Sequence, residues 1–278
     1  MKSNKVTAII LTHDSESTIG KVIRGCRQVT SRIIVVDDFS KDKTVSIAGA
    51  MKCHVVRHKF ENYSQQRNWA QRYAKLEPDE WVLNIDHDEV ISPQLAQNIK
   101  KEVEKDNADG LLIKKRIYFM GKPIRFGYIN PSWHLVAYKA GKGFCEERLY
   151  DQHFVVNGKE KRIGGLLHDF QMDSLEKWTD LHNKWSSLEA EEILFESNKV
   201  KKVLPGKLNG DKRMQKRWVK NNIYYRCPLL IRPLLFFIYS YIFRLGFLDG
   251  KAGLIFHVLQ SGWFRFLVDA KIVEMQKK

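Results

Sequence analysis

Three short apolar runs, each ending in polar or acidic residues, constrain this chain more than any other feature. They are VTAIILT (residues 6–12), RIIVV (32–36) followed by Asp37-Asp38, and WVLNI (81–85) followed by Asp86-His87-Asp88-Glu89. Runs this apolar and this short read as strands buried on both faces. Helical spacing fills the intervals: about Ser17 to Gln28 with Ile19, Val22, Ile23 and Cys26 on one face, then about 42–51 and 64–76. A further short strand is expected at His54-Val55-Val56, and Ser92-Pro93 supplies the N-cap and first turn of another helix. Strand–helix alternation predicts an α/β fold with parallel strands and helical crossovers. Ligands of such sheets bind beyond the carboxyl ends of the strands. Thr12, Asp37-Asp38 and Asp86-His87-Asp88 should therefore converge on one edge.

The pattern changes after about residue 110. Short strand-like pieces appear around 111–117, 133–139 and 153–156, with Gly and Pro between them. Residues 174–196 read as a helix whose apolar stripe is Leu175, Trp178, Leu181, Trp185, Leu188 and Ile193, opened by an Asp173/Glu176 capping box. From Lys199 to Arg226 there are ten basic residues and one acid, Asp211. PLLIRPLLFFIYSYIFRLGFL (228–248) follows, and its longest uncharged run, eleven residues between Arg232 and Arg244, is too short to span a bilayer. A second amphipathic stretch covers about 254–273. These shifts divide the chain into residues 1–170, a connecting helix at 171–198, and a basic and apolar helical region at 199–278. The polar start and the four-residue apolar run Ala8–Leu11 do not resemble a signal peptide. The four cysteines form no CxxC pair, which argues against a zinc ribbon or disulfide framework.

Two carboxylates at i and i+2 just past a strand end, Asp86 and Asp88, can both face a hard divalent cation. Mn²⁺ or Mg²⁺ held there would neutralise a leaving diphosphate. Asp37-Asp38 can accept hydrogen bonds from a nucleobase or ribose, or can cap the helix that follows. Arg67, in SQQRN, is a candidate diphosphate contact.

VTAIILTHDSESTIGKVI, IIVVDDFSKDKT, QQRNWA and WVLNIDHDEVIS, in this order and spacing, resemble glycosyltransferase family 2 over roughly residues 5–170. The resemblance implies a GT-A fold, with a mostly parallel sheet flanked by helices, and an inverting transfer from a nucleotide sugar, commonly UDP-linked. It implies nucleotide recognition by Thr12, Asp14, Asp37 and Asp38, contacts near Arg67 and Asp86, and metal binding at Asp88 with Asp86 nearby. His168, in GGLLHDF, is an additional candidate ligand. The chain departs from the pattern at His13-Asp14, where many members carry Asn-Glu, at His87, where small residues are common, and at Phe39, which replaces a frequent glycine. An inverting transfer also needs a base for the acceptor hydroxyl. Glu146, Glu147 and Asp151 are the candidates, and Asp151 is favoured because LYDQHF resembles a block in lipopolysaccharide-core and capsule-type members. Trp133 and His134 fall where the acceptor would be covered.

The charge balance adds a partner. With 47 basic against 32 acidic residues the formal net charge is +15, which suits polyanionic partners. Basic residues beside aromatic-rich apolar helices favour an anionic membrane surface over nucleic acid, with Phe236, Phe237, Tyr239, Tyr241 and Phe243 entering the headgroup boundary. The expected setting is cytoplasmic, peripheral or monotopic at the inner face of the plasma membrane, with a lipid-linked or cell-envelope glycan as acceptor. A nucleotidyltransferase is disfavoured because Thr12 to Gly20 lacks a Gly-rich phosphate loop, and a non-catalytic nucleotide-binding scaffold because the four key aspartates are kept.

Overall fold

The structure is a computed structural model that describes residues 6–130, 132–171, 174–196 and 203–277. The elements run β1 (Val6–Thr12), α1 (Ile19–Arg27), β2 (Arg32–Asp37), α2 (Thr44–Ala50), β3 (His54–Arg57), α3 (Tyr63–Tyr73), β4 (Trp81–Asp86), β5 (Glu89–Ile91), α4 (Pro93–Lys105), β6 (Gly110–Phe119), β7 (Lys122–Pro123), β8 (Ser132–Lys139), β9 (Gly143–Cys145), β10 (Phe154–Val156) and β11 (Glu160–Phe170). Among the described residues the α-helices that follow are α5 (Leu175–Glu191), α6 (Lys212–Asn222), α7 (Arg232–Ile238), α8 (Gly250–His257) and α9 (Phe264–Met275), with short π- and 3-10-helical turns between them.

Two compact units emerge. The first comprises Met1–Lys115, Trp133–Glu147 and Gln152–Asp169, and the second Arg116–Ser132, Arg148–Asp151 and Phe170–Lys278. Segments 116–132 and 148–151 thus cluster with the C-terminal region.

The sheet has the order β3-β2-β1-β4-β8-β6-β11-β5, with β7 on β6. Its first four strands are parallel, whereas β8 joins β4, and β5 joins β11, in antiparallel sense. The sheet is therefore mixed. Period-two alternation explains why β1, β2 and β4 are apolar over most of their length: both their faces are covered, whereas β3, at the edge, is partly exposed. Ala8, Ile10, Val35, Leu83 and Ile85 pack with Ile19, Val22 and Ile23 of α1. Ile9, Leu11, Ile34, Val36 and Val82 pack with Ala70 and Ala74 on the α3 side. Each fully buried aliphatic side chain contributes roughly 1.5–3 kcal/mol. Ser92 caps α4 as expected, accepting from the Leu95 amide at 3.3 Å.

In the second unit, α5 begins at a different cap from the one expected. Ser174 accepts from the Lys177 amide at 3.1 Å, and Asp173 lies outside the described residues. The buried stripe is also rotated. Trp178, His182, Ser186, Glu189 and Ala190 face inward, while Leu175 and Leu181 are exposed. Buried charges decide this orientation. Glu189 bonds Arg265 at 2.7 Å and Lys220 at 2.9 Å, and Asp269 accepts from Arg232 Nε at 2.9 Å. Among the described residues no helix is long and apolar enough to cross a membrane.

Candidate active site

The parallel register brings the strand ends level, with Thr12 opposite Asp37 and Leu11 opposite Asp86. The loops after β1 and β2 are zipped together. Asp14 Oδ1 accepts from the Lys41 amide at 2.7 Å, Ser40 Oγ from the Asp14 amide at 2.9 Å, and Glu16 Oε2 from the Lys43 amide at 3.0 Å. Asp37 is fully buried and takes the Ser40 amide at 3.0 Å and the Ser40 hydroxyl, so it shapes the turn. Asp38 is half-buried, accepts from the Phe60 amide at 3.0 Å, and has its carbonyl 2.7 Å from His13 Nδ1. Thr12 is buried, and its Oγ1 makes no hydrogen bond among the described residues. Phe39 stands exposed with φ 50°, the left-handed region that glycine adopts without cost. That geometry accounts for the glycine frequent at this position in the resembling sequences.

Arg67 lies on the inner face of α3 and is only 2% exposed. Its guanidinium donates to the carbonyls of Ile9 (3.1 Å) and Ile85 (2.9 Å) and to Tyr63 Oη (3.1 Å), and it pairs with Asp86. Tyr63 donates to the same carboxylate at 3.2 Å. Arg67 is thus a support beneath Asp86 instead of a surface group aimed at a diphosphate. Burial disfavours ionisation of Asp86, but Arg67 and then Lys115 outweigh it, so its carboxyl is held below the usual carboxylate range. Glu89 closes the turn by accepting from the Asp86 amide at 3.0 Å, and it pairs with Lys115. Asp169 lies opposite Glu89 in the β11–β5 ladder. Asp88, left between these charges, is pushed up to about 8 by burial and by the carboxylates of Asp86 and Glu89.

Among the described residues no three His, Cys, Asp or Glu side chains are assembled to hold a metal ion. His168 sits in β11 opposite Val90, and Asp86 is committed to Arg67 and Tyr63. The chemistry at Asp88 does fit a hard cation that draws its other ligands from phosphate and water, because a further positive charge, added to Arg67 and Lys115 beside the three carboxylates, relieves their repulsion.

The base candidates occupy different settings. Glu146 is fully buried and accepts from the His153 amide at 2.9 Å, which fixes the loop. Glu147 is exposed and lines a cavity of about 270 Å³ with His58, Lys59, Gln65, Trp69 and Arg72. Asp151 belongs to the second unit, with φ 57° and an ion pair to Lys220 at 3.1 Å. Trp133 packs on the α3-side core, with the Arg162 guanidinium 5.5 Å from its ring centre. Tyr63, Glu89 and Lys115 went unrecognised in the sequence. Glu89, three residues after Asp86, carried the one legible signal, the spacing of a turn-closing acid.

Residues 7–157 match the family model for Glycosyl transferase family 2. The chain is a family 2 glycosyltransferase. An uncharacterized glycosyltransferase of Rickettsia conorii is 33% identical over 210 residues, covering 71% of this chain and 73% of that one. A second, from Rickettsia prowazekii, is 26% identical over 208 residues and covers 70% of each chain. Among solved structures, S. aureus TarS 1-349 in complex with UDP-GlcNAc superposes with TM-score 0.50 at 13% identity, covering 98% of this enzyme and 92% of that chain. This likeness is one of fold, and the fold is GT-A.

Proposed function

We propose that the enzyme moves a sugar, with inversion, from a nucleoside diphosphate donor to a hydroxyl of a lipid-linked or cell-envelope glycan at an anionic membrane surface. The level placement of Thr12, Asp37 and Asp86 at the ends of three adjacent parallel strands carries the donor half of this reading. Asp14 and Asp38 on the zipped loops are the carboxylates offered to the nucleoside, and the UDP-GlcNAc complex of TarS favours a UDP-linked donor. A divalent cation at Asp88, with His168 as a further candidate ligand, would supply charge neutralisation for the departing diphosphate. Arg67 and Tyr63 hold Asp86, and Glu89 holds the turn that presents Asp88.

Asp151 is the preferred base. Its side chain is 40% exposed, Lys220 fixes its position at 3.1 Å, and its left-handed backbone is the kind of strain found at functional positions. It would take the hydroxyl proton as the acceptor oxygen attacks the anomeric carbon and the diphosphate leaves. Glu147 is the second choice, and Glu146 the third because it is buried and engaged by His153.

Support for the membrane surface comes from the net charge of +15 and from apolar side chains exposed along α7 and the turn after it. The aromatic set differs from the one expected. Phe236 packs on Tyr128 and Tyr224, and Phe237 stacks on Tyr241, whereas Tyr239 and Phe243 are exposed. The deciding experiment is hydrolysis of a panel of nucleotide sugars with Mn²⁺, Mg²⁺ or EDTA. Metal-dependent release of one nucleoside diphosphate is expected, and release from none would end the reading.

A further inference from the structure

We propose that Lys216 and Arg244 form a binding site for the phosphate of a lipid, on the second unit. It rests on the membrane-surface reading above and names the headgroup chemistry.

Helix α6 starts where Asp211 accepts the amides of Arg213 (2.8 Å) and Met214 (3.1 Å). That start turns Arg213 and Arg217 inward, where both are buried, and leaves Lys212, Lys216 and Lys220 one turn apart along another stripe. Lys220 is taken by Asp151 and Glu189. Lys216 also lies within the field of Asp151; its Nζ donates to the Ile129 carbonyl at 3.4 Å, and Arg244 Nη2 donates to the next carbonyl, Asn130, at 2.8 Å. Consecutive carbonyls of one loop therefore dock two cations side by side. Burial and the nearby Arg244 push the Lys216 ammonium down to about 8, against the pull of Asp151. A phosphate, with several oxygens, is the ligand class that can accept from both side chains at once.

The loop is latched in place. The Gly127 amide donates to the Arg244 carbonyl at 2.9 Å, and the Asp249 carboxylate accepts the amides of Arg125 and Phe126, each at 2.9 Å. Gly127 has φ 90°, and a Cβ there would lie 2.2 Å from the His257 ring, so no larger residue fits. The cations are thus presented on a preorganised surface.

The surroundings select a lipid over a soluble phosphate. Arg244 lies between Phe243, 73% exposed, and Leu245, with Ile242, Phe247 and Leu248 also exposed nearby in the chain. A phosphate held by Arg244 is flanked by apolar side chains that a hydrocarbon chain can cover.

The test is co-sedimentation of the full chain with vesicles. One set is phosphatidylcholine alone, one adds phosphatidylglycerol, one adds a polyprenyl phosphate, and one carries the same surface charge as fatty-acid carboxylate. Wild type should bind both sets with anionic phosphate lipids more tightly than the carboxylate set. K216Q/R244Q should weaken that binding by roughly tenfold or more, and K216R/R244K should restore most of it. Thermal unfolding of each variant checks folding. Preference for phosphatidylglycerol would identify a bulk headgroup, and preference for polyprenyl phosphate the acceptor's own lipid. Equal binding by wild type and a folded K216Q/R244Q overturns the site but leaves the membrane reading standing. No binding by wild type overturns both. Nucleotide-sugar hydrolysis on the same preparation reports the donor chemistry separately.

Discussion

Arg67 holds Asp86 from the α3 side of the sheet and directs its other donors to Tyr63 and to the carbonyls of Ile9, in the middle of β1, and Ile85, near the end of β4. One buried cation thus ties together β1, β4 and the first acid of the Asp86-His87-Asp88 turn. Removing one member of a buried pair leaves the other charge and its acceptors unsatisfied, at a cost of about 3–5 kcal/mol. Arg67→Met is expected to lose about that much in urea unfolding. Replacing both partners, as Arg67→Met/Asp86→Leu, should recover much of the stability but not the activity. Additive losses in the double variant would show that the two residues do not act as a unit.

Among the described residues Asp88 makes no ion pair like the one between Asp86 and Arg67. Asp88→Ala removes a carboxylate from a crowded group of three and should leave the unfolding midpoint unchanged or slightly raised. Metal-dependent nucleotide-sugar hydrolysis should fall by about 10²–10³-fold, the scale of losing one electrostatic stabiliser. Undiminished hydrolysis in this variant would remove the metal assignment.

The contrast between these two acids marks what the sequence could disclose. Three of the parallel strands, β1, β2 and β4, were legible because both their faces are covered, which leaves apolar runs with polar or acidic residues at the ends. The antiparallel part was less so. β5 is three residues long, and β11 carries Lys161, Arg162, Gly164 and Gly165 where an alternating pattern would show. Arg67 reads as an exposed helical residue because nothing local reveals that the carbonyls of Ile9 and Ile85, on two strands, await it. Likewise the α5 stripe was drawn through Leu181, since Glu189 and His182 look exposed until Arg265, Lys220 and Gln260 arrive from far along the chain.

Phe39 offers a test of backbone strain at the nucleotide edge. With φ 50° it pays the left-handed penalty of a residue with a Cβ. Phe39→Gly and Phe39→Ala both delete the ring, yet only glycine relieves the backbone. The glycine variant should be more stable than the alanine variant by about 1 kcal/mol after its greater unfolded-state freedom is allowed for. Equal midpoints in thermal denaturation would mean that the turn relaxes around alanine.

Two buried histidines set an acid limit on the second unit. Burial pushes His182 down from 6.5 to about 4, and His257 likewise to about 4. A histidine kept neutral by the fold contributes stability above its unfolded value, and that contribution is lost as pH falls through the folded one. Between pH 6.5 and 4 the second unit should lose on the order of a few kcal/mol. Glu189, whose carboxyl is shifted downward by Arg265 and Lys220 against burial, adds its loss at lower pH. His182→Phe should flatten the slope of melting temperature against pH in this window. An unchanged slope would assign the acid sensitivity to other groups.

The base is decided by comparing three isosteric changes. Asp151→Asn should lower transfer to acceptor by about 10²–10⁴-fold, the usual contribution of a positioned base. Hydrolysis of the donor by water should be affected less, since it does not use the acceptor hydroxyl. Glu147→Gln leaves an exposed side chain exposed, and its effect should be small if Asp151 is the base. Glu146→Gln weakens a buried acceptor of the His153 amide, so it should act mainly on the unfolding midpoint. Transfer that collapses in Glu147→Gln and persists in Asp151→Asn would move the base to the wall of the α3 cavity and leave Asp151 as a structural partner of Lys220.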